Sequence, residues 1–363
     1  KGKLAEVSVV PHSEGKTNLQ VNVPENGKCY LKLTYHLKKE MPLLEEDYIL
    51  GFDEIEVSQK DAKCQLAEKW VEKTVTDSEL QVSEDDTQIH IKGREFAYTI
   101  DRRTALFTEM KFAGREYLNH PMELNIWRAP TDNDMYIKSE WKKAHYDKAY
   151  TRAYTTEVVQ GKHGVKITSH ASVVAETVQK ILDVTITWKI EAAGKIDADI
   201  AVTKDDEFPD LPRFGVRMFL DKKLSAARYF GMGPQESYCD KHQAASHGLY
   251  QANVDDLHED YIRPQENGSH YDCEYVELNN SRYGIVVSAE NAFSFNASYY
   301  TQEELEKKTH NYELIESDSV VFCVDYALNG IGSNSCGPVV LDQYRFDDVL
   351  FRFQFTLIPY VKG

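Results

Sequence analysis

Asp132, Asn133 and Asp134 set three oxygen-bearing side chains in a row, directly after Trp127-Arg128-Ala129-Pro130-Thr131. Side chains of this kind in a turn bond their own backbone or a ligand. Pro130 removes a backbone donor and pushes Ala129 towards an extended conformation, so a strand is expected to end here. Two readings follow: a strand exit closed by a satisfied turn, or a polar cluster at the mouth of a carbohydrate site. A second stretch of this character is residues 228–242, RYFGMGPQESYCDKH, where Gly231, Gly233 and Pro234 force an irregular turn ahead of Gln235, Glu236, Tyr238 and Asp240. A third is residues 261–268, YIRPQENG, in which Gln265, Glu266 and Asn267 follow an aromatic, an arginine and a proline. Such mixtures suit sugars, whose hydroxyls need paired polar partners and whose apolar faces stack on rings. The fourth is residues 328–338, LNGIGSNSCGP, whose glycines let the backbone approach another group closely and whose tip carries Asn334, Ser335 and Cys336. Each stretch also reads as a structured loop with internal hydrogen bonds.

Other chemistries lack their signatures. The 228–242 stretch has neither the spacing nor the lysine of a phosphate loop. The twelve histidines are scattered without a metal-ligand pattern, no G-x-S-x-G elbow is present, and no cysteine sits in a local signature for a thiol nucleophile. Acidic residues abound, but nothing singles out a pair for glycoside hydrolysis.

Strands must position these loops. Residues 30–37 place Leu31, Leu33 and Tyr35 on one face, and Leu50, Phe52, Ile55 and Val57 suggest another strand or pair. So few strands are marginal alone and read as part of a sandwich whose first strands are missing. Residues 59–84 are polar and charged, with an amphipathic patch at 66–71, and form a connector. From Thr87 the β signal is dense. Residues 88–100 alternate through Ile89, Ile91, Phe96 and Tyr98, and a turn at 101–104 leads into 105–112. Further strands are expected at 164–170, 181–190, 196–203, 213–220, 283–289, 293–297, 320–327 and 349–356. Helices are few: one over 139–149 capped by Ser139, and a short one after the capping box at 301–304. Strands and helices do not alternate, which excludes a TIM barrel and a doubly wound sheet. The expected fold class is all-β, a large antiparallel sandwich.

The 363 residues suffice for two domains, or for one large all-β domain with an appendage. A net charge of −17, from 59 acidic against 42 basic residues, argues against nucleic acid or an anionic membrane as partner. Six widely spaced cysteines without a C-x-x-C pair read as free thiols in a reducing compartment. The start, Lys-Gly-Lys-Leu, carries neither a signal-peptide core nor an initiator methionine, as in an excised piece of a longer chain. No apolar run approaches a membrane span, and the expected location is the cytoplasm.

Taken in order, WRAPTDND, YFGMGPQESYCD, YIRPQENG and NGIGSNSCGP resemble the C-terminal portion of β-galactosidases of glycoside hydrolase family 2, the part sometimes encoded as a separate small subunit. The resemblance covers roughly residues 82–360, and four such phrases in order are highly specific. The segment before it resembles the second half of the immunoglobulin-like domain that precedes this region in those enzymes. The implied organisation is a partial immunoglobulin-like β-sandwich over 1–64, a connector over 65–84 and, over 85–363, an antiparallel supersandwich related to the galactose mutarotases.

The resemblance also implies what lies elsewhere. In this family the acid/base and nucleophile glutamates stand on an upstream TIM barrel, so this chain is expected to hold neither and to be inactive alone. Any Mg or Na would belong to that catalytic part, with no cofactor from this chain. The implied partners are the barrel, in the same chain or a large subunit, and a galactoside such as lactose; a homo-oligomer stays open. The expected sugar-facing residues are Arg128, Asp132, Asn133, Asp134, Glu236, Glu266, Asn334, Ser335 and Cys336. Some family members carry a stacking tryptophan where this chain has Cys336, and residues 135–139 are brief and lack the glycine of the mobile cover found in some relatives. Two alternatives remain: a mutarotase-like epimerase using His242 or His270 with Glu236 or Glu266, and a plain carbohydrate-binding module.

Overall fold

The alternating sequence folds into antiparallel strands almost throughout. The computed structural model describes residues 2–4, 7–25, 27–58, 80–332 and 337–362. The amphipathic patch at 66–71, Asn334, Ser335 and Cys336 therefore lie outside the described residues. The chain divides into two units, Lys1–Gln65 and Leu66–Gly363.

In the first unit, β1 (Tyr30–His36) pairs antiparallel with β2 (Ile49–Glu56), from Tyr30 opposite Glu56 to Tyr35 opposite Gly51. Both strands fall where the alternation places them, yet no described residue of this unit is buried.

The second unit opens with a five-stranded sheet of β3 (Gln81–Glu84), β4 (Gln88–Lys92), β5 (Phe96–Asp101), β6 (Leu106–Phe112) and β7 (Arg115–Glu116), in that order. β3 occupies residues that the sequence reading leaves in the connector. β4 and β5 replace the single run expected over 88–100. The break has a cause visible in the phase, because Ile89 and Ile91 are odd-numbered whereas Phe96 and Tyr98 are even. An intervening turn, where the Gly93 amide donates to the Phe96 carbonyl at 3.0 Å, brings all four side chains into the core.

β8 (Leu118–Asn125) ends five residues before Pro130. Helix α1 (Ile137–Lys143) follows, capped by Tyr136 and not by the expected Ser139. Ser139 lies inside it, its hydroxyl donating back to the Tyr136 carbonyl at 2.8 Å. His145, at φ +58°, ends the helical path, so 146–148 forms a separate 3-10 turn and the helix expected over 139–149 is divided.

The rest is β9 (Tyr150–Gln160), β10 (Gly164–Val174), β11 (Leu182–Glu191), β12 (Ile196–Lys204), β13 (Arg213–Asp221), β14 (Ala226–Gly233), β15 (Ser246–Asn253), β16 (Ser269–Asn279), β17 (Tyr283–Ser298), β18 (Ser319–Leu328) and β19 (Leu350–Val361). Helix α2 (Gln302–Lys307) precedes β18, and its cap is the expected one: Thr301 Oγ1 accepts from the Glu304 amide at 3.1 Å. One antiparallel path runs β15-β14-β16-β17-β19-β12-β11-β10-β9, and a branch leaves β17 through β18 and β13 to β8. The two strands expected at 283–289 and 293–297 are one strand, β17. Its first half pairs with β19 and its second half with β18, so it changes partners at the exposed residues 290–292. The architecture is all-β and largely antiparallel, as expected. The core is aromatic and β-branched; Trp188 lies within it against Phe107 and Phe355, its indole N–H donating to the Ala105 carbonyl.

Candidate functional site

The four polar stretches emerge from strand ends and meet. Arg128, fully buried, grips the Asp134 carboxylate with two bonds, Nε at 3.1 Å and Nη2 at 2.7 Å. Its remaining donors reach across two hundred residues to the carbonyls of Asn329 and Gly330. Asp134 closes its own turn by accepting from the Thr131 amide at 2.9 Å. Asn133 donates its side-chain amide to the Ile331 carbonyl. From the opposite side Asp240 accepts the Ile331 and Gly332 amides at 3.0 and 2.7 Å. A Cβ on Gly330 would come within 2.6 Å of the Asp240 carboxylate, so glycine suits that position, and one on Gly332 would sit tightly at 3.2 Å from it.

The 261–268 stretch locks onto the same turn. The Asp132 amide donates to the Gln265 side-chain oxygen at 2.9 Å, and the Gln265 amide group returns a bond to the Asp132 carboxylate at 3.2 Å. The Glu266 amide donates to the Ala129 carbonyl at 3.0 Å. Below it Arg213, also fully buried, holds Glu266 at 3.0 Å and Asp325 at 2.5 Å. One guanidinium faces two carboxylates, and burial pushes both the Glu266 and the Asp325 carboxyl upward against its pull. Glu236 ties the remaining stretch in: it accepts from Lys241, from the Tyr261 hydroxyl and, at 2.8 Å, from the Gly268 amide.

Of the expected sugar-facing residues, the structure thus brings together Arg128, Asp132, Asn133, Asp134, Glu236 and Glu266. Arg128, Asp134 and Glu266 are buried and occupied with protein partners, whereas Asp132 is exposed and Asn133 half-buried. Arg213 and Asp325 belong to the network and were missed, because each lies in an apolar strand, whereas Asp240 and Asn329 lie within the second and fourth stretches without having been assigned a site role. Their signal was long-range pairing, which a single sequence does not display.

Neither His242 nor His270 bonds Glu236 or Glu266. His242 Nδ1 meets the Tyr238 carbonyl at 2.9 Å, and His270 Nδ1 meets the Met232 carbonyl at 3.3 Å. Burial against Tyr229 and Phe295 lowers the His270 imidazole to about 4. The four described cysteines are free thiols, and burial pushes Cys239 and Cys323 up to about 11, far from thiolate at neutral pH. Among the described residues no group of three or more His, Cys, Asp or Glu side chains could hold a metal ion.

Residues 92–357 match the model of the β-galactosidase small chain family. The chain is 42% identical over 359 residues to the β-galactosidase of Actinobacillus pleuropneumoniae, covering 98% of this chain and 35% of that protein. It is 32% identical over 351 residues to the β-galactosidase of Staphylococcus xylosus, covering 96% of this chain and 34% of that one. Among solved structures, galactose 1-epimerase from Lactobacillus acidophilus NCFM aligns with 80% of this chain and 100% of its own at TM-score 0.41 and 8% identity, a level at which neither activity nor ligand carries over. The chain therefore spans about a third of the length of the curated relatives it matches. With residues 92–357, most of its length, matched by the family model, it belongs to the β-galactosidase small chain family.

Proposed function

We propose that this chain is the C-terminal, non-catalytic part of a retaining β-galactosidase, and that residues 329–338 form one wall of its galactoside site. The observation that carries this reading is the common destination of the polar network: Arg128, Asn133 and Asp240 all end on the backbone of residues 329–332. That much polar bonding, aimed at one short stretch, fixes the backbone of residues 329–332 in place. In this reading Arg128, Asp134, Glu236 and Glu266 are positioning residues, while Asp132, Asn133, Asn334, Ser335 and Cys336 meet sugar hydroxyls. The two catalytic glutamates, and any Mg or Na, belong to a partner barrel.

Exposed apolar side chains flank the same stretches: Tyr136 after the first, Ile262 at 94% exposure in the third, and Val339 and Leu341 after the fourth. Exposed hydrophobics grouped around a polar site suit a protein interface, and the proposed partner is the barrel. Residues 1–64 would complete an immunoglobulin-like domain with strands from the same upstream part. A cytoplasmic setting goes with the free thiols. The reading is tested by assaying nitrophenyl β-galactoside hydrolysis with this chain alone and after co-expression with the upstream polypeptide. Activity is expected only in the second case; hydrolysis by the chain alone sinks the proposal.

A further inference from the structure

A cavity of about 310 Å³ is lined by Tyr238 and Cys239 of the second stretch, Leu328 at the end of β18 and the residues around 343–348 that lead into β19. Its size is at the lower end for small-molecule sites, roughly 300–1,000 Å³. Three half-buried tyrosines line it, Tyr271, Tyr326 and Tyr344. Two of the rings are held rigidly: Tyr271 stacks on His242 at 5.6 Å, and Tyr326 stacks on Phe351 at 4.9 Å. Such rings offer flat apolar faces with little freedom left to lose.

Part of the polar lining is fixed as well. Asp272 sits at φ +54° where β16 is irregular between His270 and Tyr275, and His247 Nε2 holds its carboxylate at 3.0 Å. A bulge of this kind re-aims a side chain, and a non-glycine residue kept at positive φ marks backbone strain retained by its surroundings. Arg345 is clamped to Asp210 at 2.8 and 3.0 Å. Gln343 and Asp348 complete the polar rim. Burial and the neighbouring Asp347 raise the Asp348 carboxyl, so removing that carboxylate relieves repulsion in the fold.

We infer that this cavity is a binding site for a neutral monosaccharide in its pyranose form, adjacent to the galactoside wall proposed above and resting on that reading only for its link to the loop. Ring faces stack on the C–H face of a pyranose, carboxylates accept from its hydroxyls, and Gln343 donates and accepts. An anion is disfavoured by the two carboxylates, with the single guanidinium already paired. The cavity also touches the proposed galactoside wall: Gly330 donates its amide to the Tyr344 carbonyl at 2.8 Å, so an occupant steadies the start of that loop.

The test is saturation-transfer NMR titration of the 363-residue chain with galactose, glucose and, as a cationic counterpart, glucosamine. Saturable binding of a neutral sugar is expected, weakened about tenfold by Asp348→Ala, which removes an exposed carboxylate. Tyr271→Ala is expected to abolish the signal, with unchanged far-UV circular dichroism reporting that the fold survives. Absence of saturable binding by either neutral sugar overturns the inference. So does a preference for glucosamine, or binding indifferent to both substitutions. None of these readouts depends on a catalytic partner, so their failure leaves the hydrolysis test untouched, and the converse holds.

Discussion

Arg128 shows how one side chain can order a loop that lies far away in the sequence. It is buried, holds Asp134 bidentately and satisfies two carbonyls of the 329–330 segment. Replacing it by methionine leaves the Asp134 charge buried and unpaired, at a cost of about 3–5 kcal/mol, read as a lower urea midpoint. Arg128→Lys is expected to recover only part of that loss, since an ammonium cannot reproduce the planar fork. His270 makes a separate demand, through pH. Its folded value near 4 lies below the ordinary imidazole value, so the native state carries it neutral. The stability this contributes is present above about pH 6.5 and is lost as pH falls towards 4, on the order of 3 kcal/mol in full. Thermal denaturation of the wild type is therefore expected to steepen with acid across that window, and that of His270→Phe to respond less.

The strands that carry the network tolerate little change at their closest approach. Gly215 on β13 lies opposite Asp325 on β18, where the register shifts after Phe214. A Cβ there would come within 2.2 Å of the Val324 carbonyl oxygen and 2.5 Å of Asp325 Oδ1. Gly215→Ala is expected to lose about 2–3 kcal/mol from overpacking, or more if the Arg213–Asp325 pair opens, measured by chemical denaturation. Strands with one buried face were legible: β10, β11 and β12 alternate and fall where their pattern places them. β16 was not, because it is buried on both faces and carries glutamates inside, with Glu277 accepting from the Tyr275 hydroxyl at 2.7 Å. β9 and β15 were hidden for the opposite reason: each has a mostly exposed or half-buried surface and little apolar contrast.

The proposed assembly turns on the surface around the four stretches. Ile262 is almost fully exposed between Tyr261, which bonds Glu236, and Arg263. A charge placed there leaves the core untouched and spoils a dry contact. Ile262→Asp is expected to lower hydrolysis by the co-expressed enzyme at least about tenfold while the melting temperature of the isolated chain stays within about a degree. A fall in melting temperature of several degrees would instead assign Ile262 a role inside this chain.

The local periodicities of the chain were enough to establish an all-β, antiparallel class, the two strands of the first unit and the cap at Thr301, because each depends on neighbours a few residues apart. The wording of four short stretches was enough to point to the family. The tertiary structure alone decided that those stretches meet, that Arg128 and Arg213 are the buried charges holding them, and that Glu266 faces inward to a guanidinium. These contacts join residues up to two hundred positions apart, and their identity follows from which strand ends the sheet brings side by side. A single sequence displays spacing along the chain, whereas buried charge pairing is set by proximity across it.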